Sequence, residues 1–239
     1  FSNPLFLRLF CEGYDKRRQK AALVSTEEIY RSYIDAVNSK MAETFQYAEG
    51  INIVYEVIET FTLQSYGNHQ RNRLDKDTAV GIVETVALKH HVSSRIYEFL
   101  ISEGILADGI DAGGEEYVFV TYEGLADYIY AFYMRQKIVN RTEPDEEIVD
   151  KINKPGVLEE LNCILPEHGI ELFERFPSLA KDGQMRNAFN AGILWRTDQG
   201  LIKKETKDYV EKVVVKNTDS CDVFYDNLIK IAIYQKHPY

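Results

Sequence analysis

Apolar side chains recur at helical spacing between residues 25 and 104, and this periodicity predicts four helices. The first begins at a capping-box signature, Ser25 with Glu28, whose side chains satisfy backbone N–H groups at a helix start. The fourth stops at Gly104, which stands where a glycine commonly ends a helix. The periodic positions, helix by helix, are Ile29, Tyr30, Tyr33, Ile34, Val37 and Met41; Val54, Val57, Ile58 and Phe61; Ala79, Ile82, Val83 and Val86; and Ile96, Phe99 and Leu100.

The period changes between residues 105 and 122, where the sequence predicts a β-hairpin. Asp108-Gly109 and Gly113-Gly114 supply residues that favour turns. From Tyr117 to Thr121, aromatic or polar residues alternate with valines, so that the valines share one face of a strand. Helical spacing returns at Leu125 and continues to Phe132.

Helices, a turn, a further helix and a hairpin follow one another in the order of a winged helix-turn-helix module, which we place at residues 50–140. The predicted fold class is therefore mainly α, with a winged helix-turn-helix that carries a small β-hairpin wing and is flanked by helical segments. Residues 140–156 are interpreted as a charged linker, because they are rich in carboxylates and contain Pro144 and Pro155. Helical patterning resumes from residue 157, so residues 141–239 form a second, mostly helical region.

Charge bears on the nucleic-acid function that a winged helix suggests. The chain has 38 acidic and 28 basic residues, a formal net charge of −10, which repels phosphate backbones unless a basic patch intervenes. The candidate recognition helix, residues 92–105, has one Arg and two Glu, whereas major-groove readers usually present several Arg, Lys, Asn or Gln side chains. We therefore expect no nucleic-acid binding by this segment, and a winged-helix DNA-binding transcription regulator with a helical partner-binding region stays as the alternative hypothesis.

Cysteine usage and hydropathy indicate a cytoplasmic location. Only three cysteines occur, Cys11, Cys163 and Cys221, and a sparse, odd number favours a reducing compartment over a disulfide framework. No stretch reaches the roughly 18 uncharged apolar residues of a membrane span. We predict no membrane association.

The sequence lacks the common catalytic motifs. It contains no G-x-x-x-x-G-K-[ST] phosphate-binding loop, no G-x-S-x-G elbow and no H-E-x-x-H zinc motif. His90 and His91 are adjacent, so on a helix they point about 100° apart and cannot chelate one metal. We interpret them as the end of the third helix, where cations interact favourably with the helix dipole. We expect neither catalytic nor metal-binding residues in this chain.

Four stretches, in this order, resemble the STAND-class NTPases, and more narrowly the bacterial antiviral group called Avs, which is related to NACHT and NB-ARC proteins. They are NPLFLRLFCEGY at 3–14, FVTYEGLADYIYAFYM at 119–134, AGILWR at 191–196 and KHPY at 236–239. Within them the positions that resemble the family are Phe119, Tyr122, Glu123, Asp127, Tyr128 and Ala131, the L-x-W-R segment from Leu194 to Arg196, and His237-Pro238.

The resemblance implies a domain organisation and a role. Residues 1–49 would be the C-terminal part of the helical domain of the NTPase, 50–140 its winged-helix domain, and 141–239 a helical region leading to a sensor domain outside this chain. The segment would couple nucleotide state to oligomerisation and effector activation in antiphage defence. The implied cofactor is ATP or ADP, with Mg²⁺ in the parent protein and bound mostly by regions outside this chain. The implied partners are the nucleotide-binding core, a phage protein recognised by the sensor, and further copies of the activated parent.

The resemblance also implies two nucleotide-contacting residues. Pro4 resembles the proline that lies against the adenine ring, a face that a rigid ring without an N–H suits; the residues alone equally allow a proline at a helix start. Tyr122 takes the place of a His that contacts the ADP β-phosphate in many relatives. A tyrosine hydroxyl can donate one hydrogen bond to phosphate but carries no positive charge. From the residues alone, packing between the wing and the following helix is the favoured interpretation of Tyr122.

Overall fold

The computed structural model describes residues 26–48, 50–67, 72–92, 95–181, 183–194, 196, 204–216 and 225. The chain divides into unit 1, Phe1–Tyr130, and unit 2, Ala131–Tyr239. Helices dominate the described residues, and three short antiparallel strands form one sheet, so the predicted mainly α class is confirmed. None of the described helices is long and apolar enough to cross a membrane.

Unit 1 contains two long helices, α1 (Thr26–Phe45) and α2 (Ile53–Gly67). The apolar positions predicted for both are buried, as the core-facing stripe of an amphipathic helix should be. Asn38 of α1 stabilises the connection between the helices: its amide donates to the Ile51 carbonyl at 3.0 Å, and its side-chain oxygen accepts from the Tyr47 hydroxyl at 2.9 Å. Ser25 of the predicted capping box lies outside the described residues.

The third helix, α3 (Lys76–Lys89), begins and ends as its sequence indicates. The Asp75 carboxylate accepts a hydrogen bond from the Thr78 N–H at 2.8 Å, which satisfies one donor of the first turn. His90 is the C-cap residue, so the prediction that the histidine pair ends this helix is confirmed.

The fourth helix, α4 (Ile96–Ser102), ends at Gly104 as predicted. Gly104 has a φ of 72°, in the left-handed region that glycine tolerates best. Its N–H donates to the Ile101 carbonyl, and the Ile105 N–H donates to the Leu100 carbonyl at 2.9 Å. These two bonds form a Schellman motif, which satisfies carbonyls of the last turn.

The sheet consists of β1 (Arg73–Asp75), β2 (Leu106–Ile110) and β3 (Glu116–Val120) in the order β1-β3-β2. Both pairings are antiparallel, with Leu74 opposite Val118 and Leu106 opposite Val120. These four side chains are buried, so one face of the sheet lies against the core. The alternation predicted for the second strand of the hairpin is therefore confirmed.

The prediction of turn residues at Asp108-Gly109 is wrong, because both residues lie inside β2. The turn occupies residues 111–115, where the Asp111 carboxylate accepts from the N–H groups of Gly113 and Glu115. Gly109 is required for packing: a Cβ there would lie 2.4 Å from Cζ of Tyr117, its neighbour across the sheet. A dipeptide sequence alone does not show whether its glycine permits a turn or the close approach of a neighbouring side chain.

Helix α5 (Glu123–Asn140) begins in unit 1 and continues into unit 2. Every residue from 125 to 131 is buried, so its first half is covered on all sides. Within unit 1, the Tyr128 ring contacts Tyr30 of α1, with centroids 5.6 Å apart, and Tyr130 packs edge-on against Tyr66 of α2 at 4.9 Å. The start of α5 thus lies in contact with both α1 and α2.

Unit 2 continues with short helices. They are α6 (Asp145–Ile152), α7 (Pro155–Ile164), α8 (Leu172–Arg175), α9 (Gly183–Leu194) and α10 (Lys204–Tyr209), with 3-10 turns at Leu165–His168 and Leu179–Lys181 and a π-helical turn at Val210–Val214. Helices α7 and α9 pack closely at Gly192, where a Cβ would lie 2.5 Å from the Glu159 carbonyl oxygen.

The prediction of a charged linker at 140–156 is wrong at residues 145–152, which form α6. Pro144 is the N-cap of α6, and Pro155 is at the start of α7, the positions where proline is compatible with a helix. Carboxylates in the first turn of α6 interact favourably with the helix dipole. Ile148 and Ile152, one turn apart, are fully buried and form the apolar side of the helix.

Candidate functional site

Of the two residues proposed to contact nucleotide, the structure describes only Tyr122, since Pro4 lies outside the described residues. Tyr122 follows β3 and directly precedes α5, and its carbonyl accepts from the Leu125 N–H at 2.9 Å in the first turn. Its side chain is 4% exposed, and its ring packs edge-on against Tyr33 of α1 with centroids 5.7 Å apart. The Tyr122 ring is therefore buried against α1.

Helix α1 covers the start of α5 next to Tyr122. Gly124 allows this contact, since a Cβ there would lie 2.5 Å from the Tyr30 hydroxyl oxygen. The Tyr33 hydroxyl donates to the Glu103 carbonyl at 3.2 Å, which links α1 to the end of α4. Tyr122, the end of α4 and the start of α5 thus meet at one aromatic surface of α1, formed by Tyr30 and Tyr33.

Asp127, one of the positions that resemble the family, is 9% exposed in unit 1 and accepts a hydrogen bond from the Tyr66 hydroxyl at 2.7 Å. Burial, and then the adjacent Asp127 carboxylate, raise the pKa of Tyr66 above its ordinary range, so the phenol stays protonated and donates. Tyr66 was not predicted as a partner because 61 residues separate it from Asp127. This pair joins α2 to α5.

His90 forms an ion-paired cluster with two other residues. Glu56 of α2 lies 2.7 Å from both Lys89 Nζ and His90 Nε2. Partial burial raises the pKa of the Glu56 carboxyl, but the hydrogen bonds from Lys89 and His90 outweigh that effect and lower it below its ordinary value. Among the described residues, no group of three His, Cys, Asp or Glu side chains could hold a metal ion.

The surface that would face DNA in a winged-helix DNA-binding protein is acidic. On α4 and the residue after it, Glu98 and Glu103 carry negative charge, and Arg95 is the only cation of residues 95–105. On the wing, the Asp108 carboxylate accepts from the Tyr97 hydroxyl of α4, and Glu116 pairs with Lys76 at 2.6 Å. These groups are arranged to pair with one another, and the net field repels phosphate.

Unit 2 buries an arginine of the L-x-W-R segment. Arg196 donates to both carboxylate oxygens of Glu171, at 3.0 and 2.8 Å, and to the side-chain oxygen of Asn162 at 2.7 Å. Thr206 of α10 donates to Glu171 at 3.1 Å. The network joins residues of α7, α10 and the segments before α8 and after α9, so this motif residue has a structural role in the described fold. The short L-x-W-R string gave no sign of these partners.

The remaining candidates in unit 2 are weak. Cys163 donates to the Gly192 carbonyl at 3.3 Å, and burial raises the pKa of its thiol, which disfavours the nucleophilic thiolate. A shallow cleft of about 380 Å³ is lined by Arg141, Glu143, Pro144, Asp145 and Arg175. Arg175 is already paired with Asp145 at 2.8 Å and with the Ile138 carbonyl at 2.9 Å, so its donors are directed to the protein.

Comparison of the chain with protein-family profiles, with curated proteins and with solved structures returned no match. Function is therefore inferred from the sequence stretches and from the geometry described above.

Proposed function

We propose that residues 50–140 are a winged helix-turn-helix module, and that the chain is the regulatory winged-helix and helical segment of a STAND-class ATPase of the Avs type, active in antiviral defence. The segment couples the nucleotide state of the parent protein to its oligomerisation and to activation of its effector. ATP or ADP, with Mg²⁺, is bound mostly by a nucleotide-binding core outside this chain.

One observation carries the proposal: the element order α2-β1-α3-α4-β2-β3 together with the sheet order β1-β3-β2. A helix, a short strand, two helices and a hairpin whose second strand pairs with the first strand is the arrangement expected of a winged helix. Tyr122 lies at the junction of β3 and α5, where the resemblance assigns the residue that faces the ADP β-phosphate. Its buried ring fixes the side chain, and no hydrogen bond joins its hydroxyl to another described residue.

The proposed mechanism is a hinge. With ADP bound, the winged helix packs on the nucleotide-binding core; in the ATP-bound state, after a phage protein has engaged the sensor, it moves away and exposes a surface for oligomerisation. Such a switch requires contacts that differ between two states. A single phosphate contact from a neutral hydroxyl is worth less than one from a charged histidine, so the Tyr122 contact would hold the ADP state weakly.

The experiment replaces Tyr122 by Phe and Pro4 by Ala in the parent protein and measures the nucleotide that co-purifies. Tyr122→Phe keeps the ring and removes only the hydroxyl. We expect each variant to lose several-fold in bound nucleotide with an unchanged melting temperature. The matched control is Tyr128→Phe, which removes a hydroxyl of α5 that is hydrogen-bonded to Arg31. Equal nucleotide content in wild type and both variants would refute the site assignments.

A second experiment separates this proposal from the DNA-binding alternative, which has the same element order. We expect the isolated chain to hydrolyse no ATP above background, since it lacks a phosphate-binding loop. We also expect no shift of duplex DNA in gel electrophoresis. A shift with steep salt dependence would favour the transcription regulator instead.

A further inference from the structure

The sheet of unit 1 has an outer face that carries two aromatic rings. Tyr117 and Phe119 lie on β3, the central strand, and are half-buried. Val118 and Val120, which alternate with them along the strand, point into the core. The ring centroids of Tyr117 and Phe119 are 5.9 Å apart, with the planes tilted by 39°. The two rings therefore form a small aromatic surface in the middle of the sheet.

The strands on either side of these rings differ in character. On β2, Ala107 stands opposite Phe119 and Gly109 stands opposite Tyr117, so β2 adds only a methyl group and a hydrogen to this face. The Tyr117 ring lies across Gly109, where a Cβ would come within 2.4 Å of Cζ. On β1, Arg73 stands opposite Phe119, and Asp75 stands opposite Tyr117. One flank of the aromatic surface is flat and the other is charged.

The sheet and wing are acidic. Residues 73–76 and 106–120 contain five carboxylates and two cations. The carboxylates are Asp75, Asp108, Asp111, Glu115 and Glu116. Glu115 and Asp111 are exposed at the tip of the hairpin. Asp108 and Glu116 alternate to the other face of the sheet with Val118, which leaves Asp75 on the outer face and Asp111 and Glu115 at the tip. These three carboxylates favour a positively charged ligand at the outer face and repel the phosphate backbone of a nucleic acid.

One cation of these residues already contacts the rings. The guanidinium carbon of Arg73 lies 5.5 Å from the centroid of the Tyr117 ring, within the range of a cation–π contact. Lys76 instead pairs with Glu116, which alternates to the other face of β3 together with Val118 and Val120. The chain itself thus shows the contact that a basic ligand would make on the rings, a guanidinium over Tyr117.

We propose that this outer face of the sheet, defined by Tyr117 and Phe119 with the carboxylates of the wing, docks an arginine-bearing basic segment of a partner protein. An arginine side chain stacks on the rings from the flat β2 side, and neighbouring cations pair with Asp111 and Glu115. Arginine is favoured over lysine because its planar, weakly hydrated guanidinium stacks on aromatic faces, whereas an ammonium group is strongly hydrated. This inference goes beyond the proposed function and does not depend on it.

The test measures the binding of two fluorescent octapeptides, one alternating Arg with Gly and one alternating Lys with Gly, to the full chain by anisotropy. At about 50 mM salt, where charge attraction is strong, we expect the arginine peptide to bind about three- to tenfold more tightly. The variant Tyr117→Leu with Phe119→Leu keeps every charge and should remove that preference. Equal affinity for the two peptides in the wild-type chain would overturn the proposal.

A pair of charge variants locates the binding on the surface. Asp111→Asn with Glu115→Gln removes two carboxylates from the wing, and Glu146→Gln with Glu147→Gln removes two exposed carboxylates from α6 as the matched control. We expect only the wing variant to weaken binding of the arginine peptide. Equal weakening by the control would mean diffuse attraction to an acidic protein, and preferential binding of a single-stranded thymidine decamer would mean a nucleic-acid platform; either result overturns the proposal. Asp111→Asn keeps the side-chain oxygen that accepts from the Gly113 and Glu115 N–H groups, and the other three substitutions alter exposed carboxylates, so the charge variants decide the matter even if the leucine variant does not fold.

Discussion

Arg196 and Glu171 form a two-pronged ion pair in unit 2 whose side chains are 0% and 3% exposed. Both carboxylate oxygens accept from the guanidinium, and the Asn162 carbonyl accepts from its Nε at 2.9 Å. Two charges removed from water are stable together only when such hydrogen bonds satisfy both of them. The pair therefore couples segments that are far apart in sequence, and neither partner can be lost alone.

We predict that Glu171→Gln lowers the free energy of unfolding by about 3–5 kcal/mol, because it removes the carboxylate charge that pairs with the buried Arg196. Urea denaturation measures the loss, followed by fluorescence of the only tryptophan, Trp195, which is adjacent in sequence to Arg196. The matched control is Asp208→Asn, which breaks the solvent-exposed pair with Lys212 and should cost less than about 1 kcal/mol. A loss no larger than that of the control would contradict the buried network.

Alanine substitution at two helical glycines should change the stability of the protein in opposite directions. At Gly192 of α9, a Cβ would lie 2.5 Å from the Glu159 carbonyl oxygen and 2.7 Å from the Asn162 Cβ, so Gly192→Ala should force α7 and α9 apart. We expect a loss of about 1–3 kcal/mol. At Gly81 of α3, no atom would lie within 4 Å of a Cβ, and Gly81→Ala should stabilise by about 0.5–1 kcal/mol. Thermal melting of both variants checks the signs, and stabilisation by Gly192→Ala would show that the helices are not in close contact.

Two tyrosine–aspartate hydrogen bonds in unit 1 differ chiefly in burial. Tyr66 donates to Asp127 in the core, whereas Tyr97 donates to Asp108 at an exposed site. Tyr66→Phe should lower the free energy of unfolding by about 1–3 kcal/mol, because a buried carboxylate loses a donor that water cannot replace. Tyr97→Phe should cost less than about 1 kcal/mol, since solvent replaces the lost bond. Chemical denaturation of both variants makes the comparison, and equal losses would argue that Asp127 is solvated.

Local features of the fold could be predicted from the sequence, and long-range contacts could not. The helix end at Gly104 and the alternation along β3 follow from backbone preference and periodicity, which a short stretch of sequence carries. The pairs Glu171–Arg196 and Tyr66–Asp127 are 25 and 61 residues apart, and periodicity holds no information on which distant polar groups meet. The missed helix α6 has another cause: its flanking prolines suit helix starts as well as linkers.

For the candidate site, the position of Tyr122 in the chain could be predicted from the sequence, but the packing of its ring could not. Strand-to-helix spacing placed Tyr122 at the start of α5, and the structure has it there. The spacing could not show that Tyr33 of α1 would cover its ring, because α1 and the wing are about 80 residues apart in the chain.

Half-buried and buried tyrosines predict that the protein loses stability at alkaline pH. Burial raises the pKa of Tyr47 to about 12. Burial also raises the pKa of Tyr209 to about 12, although the nearby Arg186 opposes part of this effect. The pKa of Tyr66 is raised as well. An unfolded tyrosine ionises near pH 10, so above that value the unfolded chain binds fewer protons than the folded one. By linkage, the free energy of unfolding is then fully retained below about pH 10 and falls as the pH rises towards 12.

Urea unfolding at a series of pH values between about 9 and 12 measures this decline, and absorbance at about 295 nm reports the tyrosinate that accompanies it. The matched variant is Tyr209→Phe, which keeps the stacked ring against Phe173, with centroids 4.5 Å apart, and removes the ionisable hydroxyl. Its stability should fall less steeply with pH than that of the wild type, since one fewer group distinguishes the folded from the unfolded chain. If all sixteen tyrosines ionise near pH 10 while the chain stays folded, the aromatic core described for both units is wrong.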